Sequence, residues 1–146
     1  MARSDYKFTH PFRVRYSEVD GQKIVFNAHY LTYYDTAITE YFRALRYDYM
    51  GQVELTGQDF HTVRTLVEYQ QPIEFDENIE VHVRTSRLGR SSLTFLLEIH
   101  SAGKDDLRAT GEVVWVNTDQ ATHKSAAIPQ ELIEKIVALE DEMLKR

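Results

Sequence analysis

The chain of 146 residues contains no cysteine. Disulfides and thiolate zinc sites are therefore excluded, and the protein cannot be a stapled secreted scaffold. That absence suits a reducing compartment, and a cytoplasmic location is expected. No window approaches the roughly 18 apolar residues that a membrane span requires. The N-terminal stretch "MARSDYKFTHPF" has no apolar run, so no secretory signal is expected there. Positive charge is also scarce: 17 Lys and Arg against 23 Asp and Glu give a net charge of −6. A general nucleic-acid binder needs a basic surface for phosphate contacts and is disfavoured. A small basic patch for one phosphorylated ligand is not.

The sequence also lacks the common nucleotide-binding, nucleophile and metal-ligand motifs. There is no GxGxxG, no phosphate-binding P-loop and no GxSxG elbow. The six histidines include His10, His61, His82, His100 and His123, and none sits in a ligand spacing such as HxxxH. No metal site is expected.

What is present is ordinary globular material: 42% hydrophobic and 27% charged residues, enough chain for a sizeable core. A single domain over 1–146 is expected. Phe8, Phe12, Val14 and Tyr16 alternate with Thr9, Arg13 and Arg15, which predicts a half-buried strand. Asp20-Gly21 then marks a turn.

From Ala28 to Arg46 the period changes. Tyr30, Tyr34, Ala37, Ile38, Tyr41 and Leu45 recur at steps of three and four, which predicts an amphipathic helix with Asn27 as a plausible N-cap. The stretch "YDYMGQVELTGQDF" reads as an irregular connection.

Four alternating segments follow: "TVRTLVEYQ", "IEVHVRTSR", "SLTFLLEIH" and "LRATGEVVWVNTD". In the first, Val63, Thr65, Val67 and Tyr69 share a face. Short turns between the later strands imply antiparallel pairing. The tail from Ile128 reads as a second helix with Leu132, Ile136, Leu139 and Met143 as its apolar stripe. The order is strand, long helix, four strands, helix, and the fold class is α+β with the helix packed on one sheet face.

Chemistry concentrates near Asp20. It lies in the loop between the first strand and the helix, and loops on a rigid scaffold commonly carry function. The helix start at Asn27, Ala28 and His29 offers backbone N–H groups that lack intrahelical partners and favour negative charge. Such donors stabilise an oxyanion developing on a carbonyl. A facing carboxylate activates water or attacks as a nucleophile. Against this stands the ordinary reading of a loop Asp-Gly as a turn former. The same duality holds for His29, either a substrate contact or a surface residue near a cap. The tyrosines around Tyr30 are core residues that can also line an acyl pocket. Arg87 and Arg90, in "RTSRLGRSS", are either a solvated hairpin or a phosphate contact.

These residues resemble a known family. "RVRYSEVDGQKIVFNAHYLTYYDTAITEYFRAL" is similar to the opening of the 4-hydroxybenzoyl-CoA thioesterase-like acyl-CoA thioesterases of the hotdog fold. Asp20, Val25, Asn27, Tyr30 and "ITEYFRAL" carry the likeness. It continues through "VEYQQPIEFDENIEVHVRTSRLGRSSLTFLLEI", "EVVWVNTD" and "IPQEL", covering roughly residues 8 to 140.

The resemblance implies a five-stranded antiparallel sheet wrapped around a long central helix, with a further C-terminal helix. It implies a homo-oligomer, a dimer or a dimer of dimers (homotetramer), with sites at the dimer interface. It implies hydrolysis of an acyl-CoA thioester, short to medium or aromatic in its acyl group, carried by CoA or by an acyl-carrier protein. No cofactor is implied, because CoA is part of the substrate. The family's loop aspartate falls on Asp20, and its carbonyl-polarising helix start falls near Asn27, Ala28 and His29.

Two departures stand out. Lys23 occupies the position of the family's loop glycine, and Gly21 is the candidate to supply the permissive backbone instead. Asn27 and His29 reverse the His-then-Asn order found in many relatives, so His29 is placed near the site by proximity alone. Two other readings are a non-hydrolytic acyl-CoA or acyl-carrier-protein binding module and a 3-hydroxyacyl dehydratase, whose chemistry pairs a His with an acid.

Overall fold

A computed structural model describes residues 5–146. The first four residues of the N-terminal stretch discussed above lie outside the described ones. The elements are β1 (Phe8–Arg13), a 3-10 turn (Tyr16–Glu18), α1 (His29–Ala44), α2 (Tyr49–Thr56), β2 (Gln58–Tyr69), β3 (Asn78–Leu88), β4 (Ser92–Ser101), β5 (Leu107–Asp119) and α3 (Gln130–Glu140). The strands form one five-stranded sheet in the order β1-β3-β4-β5-β2. β1 pairs antiparallel with β3, from Phe8 opposite Val83 to Arg13 opposite Asn78. Among the described residues, no helix is long and apolar enough to cross a membrane.

Contacts group the chain into two compact units. The first comprises the residues up to Tyr41 with Val67–Arg84 and Leu97–Gly111. Its core is the apolar face of α1 and the inward side chains of three strands. Tyr33, Tyr34, Ile38 and Tyr41 are buried together with Ile79, Val81, Val83, Leu97 and Ile99. The period-two alternation on β3 and β4 and the three-and-four spacing on α1 put these side chains on the faces that meet. Edge-on ring pairs fix the entry strand to the helix, Phe8 with Tyr41 at 5.8 Å. Phe12 packs on Tyr33 at 5.2 Å. Gly111 is needed where β5 passes the Tyr34 ring, because any side chain there would meet it.

The second unit comprises Phe42–Leu66, Thr85–Leu96 and Glu112–Arg146. Its core is an aromatic cluster around Trp115. Phe42 stacks on that indole at 5.7 Å with planes 13° apart. Phe95 meets it edge-on at 5.3 Å. Leu93, Leu132 and Ile136 are also fully buried in this unit. At the end of α3 the buried Glu140 carboxylate accepts the Thr85 N–H at 2.8 Å.

Several elements differ from the sequence reading. β1 ends at Arg13, and Tyr16, expected on its buried face, is 74% exposed in the following 3-10 turn. The stretch read as irregular holds α2, an eight-residue helix. Asp48 caps its N-terminus by accepting the Gly51 N–H, and Gly57, with φ 69°, closes its C-terminus. With no buried residue, α2 has no apolar stripe for a periodicity search to find. β2 also departs: Val63 and Tyr69, expected on a buried face, are more than half exposed. It is an edge strand, and its exposed residues run along both faces. α3 stops at Glu140, so Met143, expected in its stripe, falls in a separate 3-10 turn.

Candidate active site

The loop after β1 folds back on itself. Phe26 N–H donates to the Glu18 carbonyl at 2.9 Å, Val19 bridges Val25, and Asp20 N–H donates to the Ile24 carbonyl at 2.9 Å. The two hydrogen bonds flank the Val19–Val25 pair and make a short antiparallel ladder with Gly21-Gln22-Lys23 at its tip. Lys23 N–H closes the tip on the Asp20 carbonyl. The tip requires a left-handed residue, and Lys23 supplies it with φ 63°. Gly21, proposed above for that role, does not adopt a positive φ. The lysine thus keeps the backbone shape that a glycine would give. A neighbouring segment braces the ladder: Val25 N–H donates to Ile73 O at 2.8 Å, and Phe75 N–H donates to Lys23 O at 3.1 Å.

Asp20 therefore leaves the last rung in a fixed direction. It is half-buried, and one carboxylate oxygen accepts the Gln22 N–H at 2.8 Å. The other oxygen has no protein donor among the described residues. The asparagine turn follows directly. His29 N–H donates to Phe26 O and Tyr30 N–H to Asn27 O. α1 begins at His29, so Asn27 lies two residues before it and is not its N-cap. Those two amides are committed. The N–H groups of Asn27 and Ala28 meet no protein acceptor among the described residues, and they are the free donors at this helix start.

Asp20, Asn27 and Tyr30 line one cavity of about 430 Å³. Its remaining walls are Ile24, Val25 and Phe26 on the loop side and Tyr69, Gln70, Gln71 and Pro72 on the strand side. Tyr30 and Tyr69 meet edge-on at 4.8 Å. Burial, then the neighbouring Tyr69, push the Tyr30 phenol above its ordinary pKa, so it stays neutral at physiological pH.

The strand-side wall is held by Arg108. Its carbonyl accepts Gln70 and Gln71 N–H groups at 2.8 and 3.1 Å. Its guanidinium donates to Pro72 O at 2.9 Å and pairs with Glu77 and Asp106 at 2.9 and 3.0 Å. Hydrogen bonding to Glu77 is the main reason its already high pKa rises further.

Of the residues singled out in the sequence, Asp20, Asn27 and Tyr30 come together here. Ala28 and His29 adjoin without lining the cavity, and the half-buried His29 ring meets Phe26 edge-on at 6.2 Å. Arg87 and Arg90 are exposed, belong to the second unit and do not line it. Among the described residues, no group of three His, Asp or Glu side chains is arranged to hold a metal ion.

The sequence reading missed Glu18. It is only 6% exposed, yet ionised. Burial by itself would raise its pKa; the Arg15 N–H at 2.8 Å, the Tyr33 hydroxyl at 2.8 Å and the Arg15 guanidinium outweigh burial and hold it below the ordinary glutamate value. Two acids spaced two apart ahead of a turn were visible in "SEVD"; the tyrosine partner 15 residues on was not.

The ladder, the free amides and the cavity can be set beside known proteins. Residues 14–136 match the Thioesterase-like superfamily. The chain belongs to that superfamily. It is 29% identical over 128 residues to an acyl-CoA thioester hydrolase, YbgC, of Escherichia coli, covering 86% of this chain and 92% of the relative. Among solved structures it resembles a Pseudomonas aeruginosa protein at 28% identity and TM-score 0.84, covering 97% and 96% of the two chains. It also resembles a Thermus thermophilus thioesterase complexed with coenzyme A and zinc, at 29% identity and TM-score 0.78, covering 93% and 96%. The superfamily member described here has the hotdog fold expected from its sequence.

Proposed function

We propose that this superfamily member hydrolyses acyl-CoA thioesters, with Asp20 as the catalytic carboxylate. The observation that carries the reading is the convergence of Asp20 and Asn27 on one cavity, next to the two uncommitted amides of the helix start. The similarity to the Escherichia coli hydrolase and to the coenzyme A complex supports it.

In this reading the thioester carbonyl oxygen faces the Asn27 and Ala28 N–H groups. Charge grows on that oxygen as the carbonyl carbon becomes tetrahedral. Preorganised donors are worth about 3–4 kcal/mol in such a site. The Asp20 oxygen that lacks a donor takes a proton from water as the water oxygen bonds to the carbonyl carbon. Collapse expels the CoA thiolate, which leaves protonated as the free thiol. Alternatively, Asp20 attacks directly and water cleaves the resulting anhydride. Both routes give the same acid and thiol. The acyl group lies against Tyr30 and Tyr69, whose rings accept a flat aryl or a short to medium aliphatic chain.

We further propose that the chain acts as a homo-oligomer, a dimer or a dimer of dimers. The support is β2, twelve residues long at the sheet edge, with Val63, Leu66 and Tyr69 exposed. Long apolar edges invite pairing with another chain. Arg87 and Arg90, exposed and without an ion pair among the described residues, are the candidates for CoA phosphates.

A panel of acyl-CoA and acyl-carrier-protein thioesters, followed by thiol release, tests the reading. Turnover of at least one class is expected. Tight binding without turnover would instead mark a binding module, and hydration of an enoyl thioester would mark a dehydratase.

A further inference from the structure

We infer that Glu18 and Tyr33 form a buried clamp that positions Asp20, an inference that rests on the hydrolase reading above. The Glu18 carboxylate lies at the root of the ladder, and Asp20 lies one rung from its tip. One Glu18 oxygen accepts both the Arg15 N–H and the Tyr33 hydroxyl at 2.8 Å. The other accepts two guanidinium donors of Arg15, at 3.2 and 3.0 Å. The Glu18 carbonyl meanwhile accepts the Phe26 N–H, the far end of the first rung. A single residue thus joins the incoming chain at Arg15, the returning chain at Phe26 and the helix at Tyr33.

Tyr33 is buried, at 2% exposure, and packs against Phe12 and Tyr30. It lies one turn beyond the amides at the helix start. The clamp therefore fixes the ladder to the same helix whose start carries the free Asn27 and Ala28 amides. Asp20 and its partner donors are referenced to one rigid element, and their separation does not depend on the exposed loop tip. Catalytic groups lose about a hundredfold when displaced by about 1 Å. A buried, ionised carboxylate with four donors is costly to assemble, and a solvated turn does not need one.

Glu18 and Tyr33 do not line the cavity and act only through Asp20, so both are positioning residues. The test compares Glu18→Gln and Tyr33→Phe with Ile79→Val, a buried apolar change chosen to give a similar fall in Tm without touching the ladder. Amide hydrogen exchange is measured alongside kinetics. The clamp predicts faster exchange at Asp20, Lys23 and Phe26 in both clamp variants, with the protection of β3 and β4 unchanged. It also predicts kcat lower by at least about tenfold, with KM within about threefold of wild type. Unchanged exchange at those three amides, or an equal loss of kcat in Ile79→Val, would overturn it. If wild type cleaves no thioester, the hydrolase reading fails by itself, while the exchange data still decide whether the clamp exists.

Discussion

A β-carbon placed on Gly111 would run into Cε2 of the Tyr34 ring. At this point β5 and α1 approach so closely that only a hydrogen fits between backbone and ring. Gly111→Ala must displace a fully buried tyrosine in a packed core. Overpacking of this kind costs about 1–3 kcal/mol. Thermal unfolding should show a Tm lower by several degrees. A Tm equal to that of wild type would mean that Tyr34 has room to move.

Lys23 carries the left-handed tip of the site loop. For an L-residue that conformation costs about 1 kcal/mol, and more for a β-branched side chain. Lys23→Gly should match or exceed wild-type stability, by up to about 1 kcal/mol, and retain thioester turnover. Lys23→Val should be less stable than both. Denaturant midpoints give the order directly, and a valine variant as stable as the glycine variant would contradict the assigned backbone.

Glu18 should make stability depend on pH in a defined direction. Its folded pKa lies below the ordinary glutamate value, so the unfolded chain takes up a proton first as the pH falls. The contribution is complete above the ordinary value. It is lost as the pH drops through the lowered folded value. The stability gap between wild type and Glu18→Gln should therefore be constant near neutrality and shrink through the acid range. Urea unfolding at a series of pH values measures it. A gap that is flat down to strong acid would show that the carboxylate is not held ionised.

The exposed edge of β2 predicts association. Val63→Asp with Leu66→Asp adds charge to both faces of that edge, where like charges on paired copies repel. Sedimentation should show a dimer or larger species for wild type and a monomer for the double variant. A wild-type monomer at micromolar concentration would remove the proposed oligomer.

The parts of the fold that were legible in sequence are those with one buried face. Ile79, Val81 and Val83 on β3, and the Tyr30 to Tyr41 stripe on α1, alternate or recur because one side meets a core. β2 deceived the same reading: its residues alternate, yet both faces are exposed, because it lies at the edge of the sheet and its apolar residues meet no core. α2 was hidden for the opposite reason. It is defined by Asp48 and Gly57 at its ends and by no stripe between them.

The site divided in a similar way. Asp20 and the helix start were readable because turn and helix signals are local in sequence. Glu18 was not, since its meaning depends on a hydroxyl brought from the second turn of α1. That Lys23 itself holds the left-handed tip, with no transfer of that role to Gly21, was equally invisible, because residue type alone does not report φ.

In the proposed hydrolysis, Asp20 performs the chemistry against the amides of the helix start. The most direct measurement is kcat/KM of Asp20→Asn, on the best thioester found for wild type, with folding checked by circular dichroism. Loss of a general base or nucleophile should lower it by about 10²–10⁴-fold with the Tm essentially unchanged. A folded Asp20→Asn protein that retains wild-type kcat/KM would contradict the account.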